Sequence, residues 1–518
     1  MKNNVGLFLT KRAHLNPDLE GFIDVASGRR ITFAEWNAGA NRAAALLRAR
    51  GVAKGDRVAL LMLNCPEFAE CFFGLAKIGA VVVPLNIRLV ADELAYILND
   101  SGATVLIYGE EFAAAVADLE ARGAAGTRVK HWIHVAAPDG GAPRADFADD
   151  YDELRAEASD AEPAVGAEED DLLYIMYTSG TTGLPKGVVH THNSAIWACI
   201  TITTTSEMRY RDRYLLMLPA YHVGALTPLT GNVYRAVTSV VMRSFDPLRA
   251  WELIDQEKIT VALAVPAMLV FMDQVPDTDR FDTSQLRWIM SGGAPVPVTM
   301  IEAFAKRGIE VHEVYGLTEV CGPACLINPE DALTHAGSTG KAFFHTEVRV
   351  VDEDGNDVPP DTPGEVVVSG KHVMKEYWNQ PEATAEALRD GWLHTGDVAV
   401  ADAEGFVYIR DRTKDMIISG GENIYPAEIE NVILSHPKVR DVAVIGQPSD
   451  KWGEVPLAVV VPADDTLAAD DVMGHCVGKL ARFKLPKAVE FIDEVPRNPT
   501  GKILKRLLRD RFPGPAAD

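Results

Sequence analysis

The sequence predicts an α/β protein with a large N-terminal portion and a small α+β domain at its C-terminal end, and three patterns carry that prediction. Helical periodicity alternates with short β-branched runs as far as residue 315. Runs rich in β formers replace the helices between 348 and 400, and a new alternation of strands and helices follows residue 418. Alternation of the first kind implies largely parallel sheets with helices on their faces.

In chain order, the helical pattern at 33–50 precedes β-branched runs at 57–62 and 80–83, each bounded by Gly or Pro. The same texture recurs from 213 to 315. There Leu215-Leu216-Met217-Leu218, Ser239-Val240-Val241-Met242 and Thr260-Val261-Ala262-Leu263-Ala264-Val265 read as strands, so two related layers are expected. Val348-Arg349-Val350-Val351 and Glu365-Val366-Val367-Val368 then alternate with turns, which suggests a small antiparallel or β-barrel-like subdomain. Val442-Ala443-Val444-Ile445 and Leu457-Ala458-Val459-Val460-Val461 belong to a separate C-terminal domain.

Composition bounds the function. The chain has 518 residues, 47% hydrophobic and 24% charged, as expected of a globular protein with substantial cores. A net charge of −24 argues against a nucleic-acid partner, because phosphate backbones demand a basic footprint. The acidic, Ala-rich stretch 146–171 reads as an exposed connection. The longest apolar stretch, 261–272, is interrupted by Pro266 and falls short of the roughly 20 residues that cross a bilayer. The N-terminus lacks a secretory core, so a cytoplasmic location is expected. Six cysteines without a CxxC pair point to reduced thiols. Arg209, Arg211 and Arg213 at period two would align three guanidiniums on one side of an extended segment. A peripheral contact with an anionic membrane is one reading; a solvated face interrupted by Asp212 is the plainer one. A homodimer stays open.

The chemistry concentrates in a few loops. Tyr177-Thr178-Ser179-Gly180-Thr181-Thr182-Gly183-Leu184-Pro185-Lys186-Gly187 follows the apolar run 172–176 and forms a phosphate cradle. Its glycines let backbone N–H groups converge on an anion, its hydroxyls add donors, and Lys186 adds a point charge. Pro185 before the lysine and Gly187 after it exclude a Walker A loop. Tyr315-Gly316-Leu317-Thr318-Glu319 emerges at a strand's end, where open α/β sheets bind ligands. There Tyr315 could stack on a base, Thr318 hold an oxygen and Glu319 hold Mg²⁺. Asp397, just after Gly396, suits vicinal ribose hydroxyls. The run from Ile409 to the Gly420-Gly421 pair, with Arg412 and Lys414, looks like a hinge. Lys502 stands at the tip of a Pro/Gly turn. Loops around His222-Val223-Gly224 and Gly292-Gly293-Ala294 leave room for an apolar ligand.

These segments, in this order and at these separations, resemble the AMP-forming acyl-CoA synthetases, part of a superfamily that includes luciferases and peptide-synthetase adenylation domains. The resemblance spans nearly the whole chain. It implies an N-terminal domain over 1–412 built of two αβαβα layers plus the small β subdomain, and a mobile C-terminal domain over 413–518. It also implies ATP, Mg²⁺ and coenzyme A: a carboxylic acid attacks the α-phosphate of ATP, pyrophosphate leaves, and the CoA thiol then displaces AMP after a domain rotation. Carried over by position, Thr178, Ser179, Gly180, Thr181, Thr182, Gly183 and Lys186 embrace the β- and γ-phosphates, and Tyr315 packs beside adenine. Thr318 contacts the α-phosphate region and Glu319 binds the metal. Asp397 holds the ribose and Arg412 reaches the same nucleotide. Lys414 is the hinge, Gly421 lines the pantetheine tunnel and Lys502 is the adenylation lysine. Trp452 and Lys487 meet CoA. His222 gates the acyl pocket, Gly224 belongs to it, and Gly293 and Ala294 form its wall and the adenine rim. One departure is Glu313, where relatives often have an amide. The loop 221–224 offers no carboxylate for an amino group, so amino acids are poor candidates. A medium- or long-chain fatty acid is the expected substrate, with an aryl or cinnamyl acid as the alternative. Loading of a carrier protein is a further alternative, and a non-catalytic binding protein is disfavoured by the presence of Lys186, Glu319, Asp397 and Lys502.

Overall fold

Among the described residues the chain forms two large, mostly parallel sheets and two smaller ones. The computed structural model describes every residue except 1–2, 142–143, 180–183, 294–295, 297, 333, 336, 413–416, 425, 465, 497–502, 504 and 515–518. One large sheet has nine strands. Its parallel centre runs Glu310–Tyr315, Trp288–Gly292, Val261–Ala264, Arg213–Leu216, Thr238–Val241 and Glu20–Asp24, with antiparallel strands at both edges. The other has eight, from Glu376–Tyr377 through Pro185–Thr191, Leu172–Ser179, Val81–Pro84, Arg57–Leu61, Val105–Gly109 and His131–Val135 to Asp149–Asp150. These strands are the β-branched runs of the sequence. Central ones such as Val81–Pro84 and Val105–Gly109 are buried along their whole length and are accordingly apolar at every position rather than at alternate ones.

Helices cover these sheets because their apolar stripes have nowhere else to go. The helix Phe33–Ala49 starts with a capping box in which Thr32 and Glu35 exchange hydrogen bonds, and it buries Trp36 against Phe22 and Phe73 at ring distances of 5.4 Å each. The region after 347 is an antiparallel sheet of Glu347–Val351, Gly364–Ser369, Trp392–Ala401 and Leu388–Arg389, to which Val407–Arg412 adds a strand.

The chain divides into two compact units: Met1–Ile87, Leu98–Met176 and Gly187–Arg410 in one, Arg88–Ile97, Tyr177–Lys186 and Asp411–Asp518 in the other. The second unit has its own five-stranded sheet, including Val439–Ser449 paired over its length with Gly453–Pro462. Its two faces carry separate apolar clusters, around Ile429 and Val444 on one side and Ile445 and Ile492 on the other. Within it Lys484 is buried between Glu93 and Glu428, 2.7 Å from each.

Two local expectations change. The acidic stretch 146–171 is partly structural. Tyr151, at the start of helix Tyr151–Glu157, is fully buried, Arg155 makes a two-pronged ion pair with the buried Glu70, and Glu162 binds Lys77, itself 3% exposed. A buried lysine or glutamate needs a partner, and this segment supplies both. The arginine triplet is not on an extended segment. Arg211 has φ +67° in a turn, Arg213 begins the next strand and is taken up by Glu20 and Glu257, and only Arg209 and Arg211 stay exposed. All six cysteines are buried and free. Among the described residues no helix is long and apolar enough to cross a membrane.

Candidate functional site

In the first unit Tyr315, Thr318 and Glu319 lie at and just after the end of strand Glu310–Tyr315, where Asp397 reaches Tyr315. The chain there turns sharply, because Gly316 lies against the carbonyl of Gly322, and a side-chain carbon on Gly316 would fall 1.5 Å from that oxygen. A single 3-10 turn, Thr318–Val320, follows. Tyr315 remains half-buried, and its phenol donates to Oδ2 of Asp397 at 2.6 Å. Asp397, 1% exposed, is set by its own strand Trp392–Ala401: Thr395 Oγ1 accepts from the Asp397 N–H at 3.1 Å while donating to the Val366 carbonyl. A ring and a carboxylate from positions 82 apart thus form one polar and aromatic surface.

Glu319 is held by residues that local sequence patterns did not single out. Tyr377 donates its phenol O–H to Glu319 Oε1 at 2.8 Å, the only hydrogen bond of this carboxylate among the described residues. Strand Glu376–Tyr377 pairs with Val188 and Val189, on the strand that leaves the phosphate loop. The carbonyls of Thr318, Glu319 and Val320 accept from His190 Nε2 at 2.7 Å, the Met374 N–H at 2.7 Å and His372 Nδ1 at 2.9 Å. Both histidines are fully buried, and desolvation pushes each imidazole down to about 4, so both are neutral at ordinary pH. Nothing in the local pattern marks His190, His372 or Tyr377; their role comes from pairings across 128, 52 and 58 positions.

Of the predicted acyl-pocket residues, Gly224 and Gly293 have aliphatic neighbours. Gly224 opens the helix Val223–Arg235, and a side-chain carbon there would stand 3.0 Å from Leu218 Cδ1 and 3.9 Å from Leu263 Cδ2. Gly293 has φ +84°, and a side-chain carbon there would stand 3.8 Å from Val265 Cγ1. His222 precedes that helix, its ring 4.5 Å from that of Tyr221. Glu313 is 4% exposed and in register with Ser291 on the neighbouring strand, whose buried hydroxyl has no partner among the described residues. Burial pushes the Glu313 carboxyl up to about 7, partly offset by a hydrogen bond from the Val296 N–H. Glu313 therefore ties the strand to the loop after Gly293 instead of lying open to solvent.

In the second unit, Thr178 is half-buried near the end of strand Leu172–Ser179, and Lys186 lies at the start of Pro185–Thr191. Gly421 has φ +81° in the turn after Ile417–Ser419; the N–H of Gly420 donates to the Trp452 carbonyl at 2.8 Å. Trp452 is 41% exposed beneath the Lys451 ammonium, and Lys487 is exposed. Arg412 and Ser179 end their strands. Gly180, Thr181, Thr182, Gly183, Ala294, Lys414 and Lys502 lie outside the described residues.

Residues 9–378 match the family described as AMP-binding enzyme, and 428–502 match the AMP-binding enzyme C-terminal domain. The long-chain-fatty-acid–CoA ligase FadD13 of Mycobacterium tuberculosis is 48% identical over 509 residues, covering 98% of each chain. A feruloyl-CoA synthase from Amycolatopsis is 40% identical over 515 residues, 99% of this chain and all of that one. A solved fatty acyl CoA synthetase of Mycobacterium tuberculosis superposes with a TM-score of 0.76 at 46% identity, covering 98% of each chain.

Proposed function

The chain belongs to the AMP-binding enzyme family and is an AMP-forming acyl-CoA synthetase, and from that premise we propose that the acid it activates is a medium- or long-chain fatty acid. The full-length identity to a long-chain-fatty-acid–CoA ligase carries this reading. The aliphatic neighbours of Gly224 and Gly293, namely Leu218, Leu263 and Val265, support it, since an alkyl chain asks for apolar surface and no polar partner. An aryl acid is the second reading, favoured by the identity to a feruloyl-CoA synthase.

In the first half-reaction a carboxylate oxygen bonds to the α-phosphorus of ATP while the bond to the bridging oxygen breaks and pyrophosphate leaves. In the second, the CoA sulfur bonds to the acyl carbon and AMP leaves. Two anions must meet in the first step, so cations and hydrogen-bond donors are needed around it. Lys186 would neutralise the phosphates and Lys502 the entering carboxylate. Tyr315 would pack beside adenine, with Asp397 on the ribose and Thr318 toward the α-phosphate. Glu319 would hold Mg²⁺, a fit supported by a carboxylate fixed through one oxygen with the other left for a cation. Bound there, Mg²⁺ would supply charge neutralisation of the phosphates. Trp452, Lys487 and Gly421 would face CoA once the C-terminal domain has turned about Lys414. Buried free thiols suit a reducing cytoplasm. Arg209, Tyr210 and Arg211 are the exposed groups for any membrane contact, which salt-sensitive binding to anionic vesicles would reveal.

The experiment is CoA-dependent AMP release with MgATP over acids from acetate to stearate, together with benzoate, cinnamate and ferulate. An optimum among the longer alkyl acids supports the fatty-acid reading. Release with aryl acids alone moves the substrate to the second reading.

A further inference from the structure

The turn that carries Thr318 and Glu319 is held at two carbonyls by buried imidazoles whose protons are fixed by chemistry. A carbonyl oxygen only accepts, so the nitrogen facing it must carry the hydrogen: Nε2 in His190, toward Thr318, and Nδ1 in His372, toward Val320. The second ring nitrogen of each faces a hydroxyl: Thr346 Oγ1 donates to His372 Nε2 at 2.7 Å, and Ser194 Oγ lies 3.0 Å from His190 Nδ1, its one hydrogen shared with the Thr191 carbonyl, also at 3.0 Å. These two chains of hydrogen bonds come from separate segments, one through the strand after the phosphate loop and the other through residues 346 and 372. Between the two gripped carbonyls stands Glu319, with its own carbonyl bound by Met374 and its carboxylate by Tyr377.

We propose that His190 and His372 are positioning residues for adenylation, two buried imidazoles that clamp the peptide units flanking Glu319 and so fix its carboxylate and the Thr318 hydroxyl toward the nucleotide. The inference rests on the reading of Glu319 as the metal carboxylate. It adds two residues that contact neither substrate nor metal but decide where the ligand points, as partners of metal ligands do elsewhere.

The test measures the Mg²⁺ dependence of adenylate formation by pyrophosphate exchange, the thioester step from supplied acyl-adenylate, and the melting temperature. His372→Leu removes the donor, whereas His372→Asn keeps a donor near Nδ1. His190→Leu and His190→Gln form the matching pair. Thr346→Val keeps the shape but removes the hydroxyl that fixes the His372 tautomer. The leucine variants are expected to need roughly tenfold more Mg²⁺ for half-maximal adenylation, with thioester formation within about twofold of the parent when corrected for folded fraction. The amide variants should recover most of that loss, and Thr346→Val should shift the same way by less. If the leucine variants do not fold, the contrast between Thr346→Val and the parent decides. Equal behaviour of leucine and amide variants, or parallel loss in both half-reactions, overturns the clamp. The Glu319→Gln protein separates the two ideas: if its Mg²⁺ dependence is unchanged, the metal reading falls and the clamp with it. If it changes while the histidine and Thr346 variants do not respond, the clamp alone falls.

Discussion

The phenol of Tyr315 donates a 2.6 Å hydrogen bond to Oδ2 of Asp397, joining the end of a parallel strand to an antiparallel strand 82 positions later. Two residues assigned separately to adenine and ribose are therefore one unit. The bond orients the ring and satisfies one oxygen of a carboxylate that is 1% exposed.

Removing the phenol should be felt at the nucleotide. Tyr315→Phe keeps the ring but removes one donor from a buried carboxylate, a loss of about 1–3 kcal/mol. The KM for ATP is expected to rise by about tenfold, while the KM for the acid stays within about twofold. Initial rates at varied ATP check this; an unchanged ATP KM would show that the pair does not order the ribose carboxylate.

Glu313 predicts a pH dependence of stability. Burial raises its folded value from 4.5 to about 7, so its contribution is complete below about 4.5 and is lost as the pH rises through about 7. Glu313→Gln cannot ionise and should not lose stability in that window. Between about pH 5 and 8.5 the parent should lose on the order of 2 kcal/mol relative to the variant. Denaturant unfolding at the two pH values measures it, and parallel curves would mean that the carboxyl stays solvated.

Lys502→Ala should separate the half-reactions. Loss of one preorganised cation is expected to slow adenylate formation by about 10²–10³-fold, whereas thioester formation from supplied acyl-adenylate survives. Single-turnover assays of each step decide; equal loss in both would contradict a lysine confined to adenylation.

Gly224→Val tests the acyl pocket. Leu218 stands 3.0 Å from where the first added carbon would sit, so a valine must intrude on the aliphatic lining. The KM for long-chain acids should rise by about tenfold or more, with a smaller effect on short ones. A uniform change over the acid panel would place Gly224 away from the chain-binding path.

By itself the sequence determined the alternation of strands and helices, the antiparallel sheet after 347 and the loops that carry chemistry. These are local: a β-branched run bounded by Gly or Pro, or hydroxyls and glycines beside one lysine, declares itself within ten residues. Tertiary structure alone decided what each polar group faces. The triplet Arg209, Arg211, Arg213 looked like one basic face because spacing cannot reveal that Glu20 and Glu257 capture Arg213. The acidic stretch looked solvated because nothing near it shows the buried Lys77 and Glu70 that it must neutralise. His190, His372 and Tyr377 carry no motif, yet they set the turn of Thr318 and Glu319. The physical reason is the same throughout: a buried donor, acceptor or charge must find its partner, and that partner is chosen by the packing of distant segments, not by neighbours in sequence.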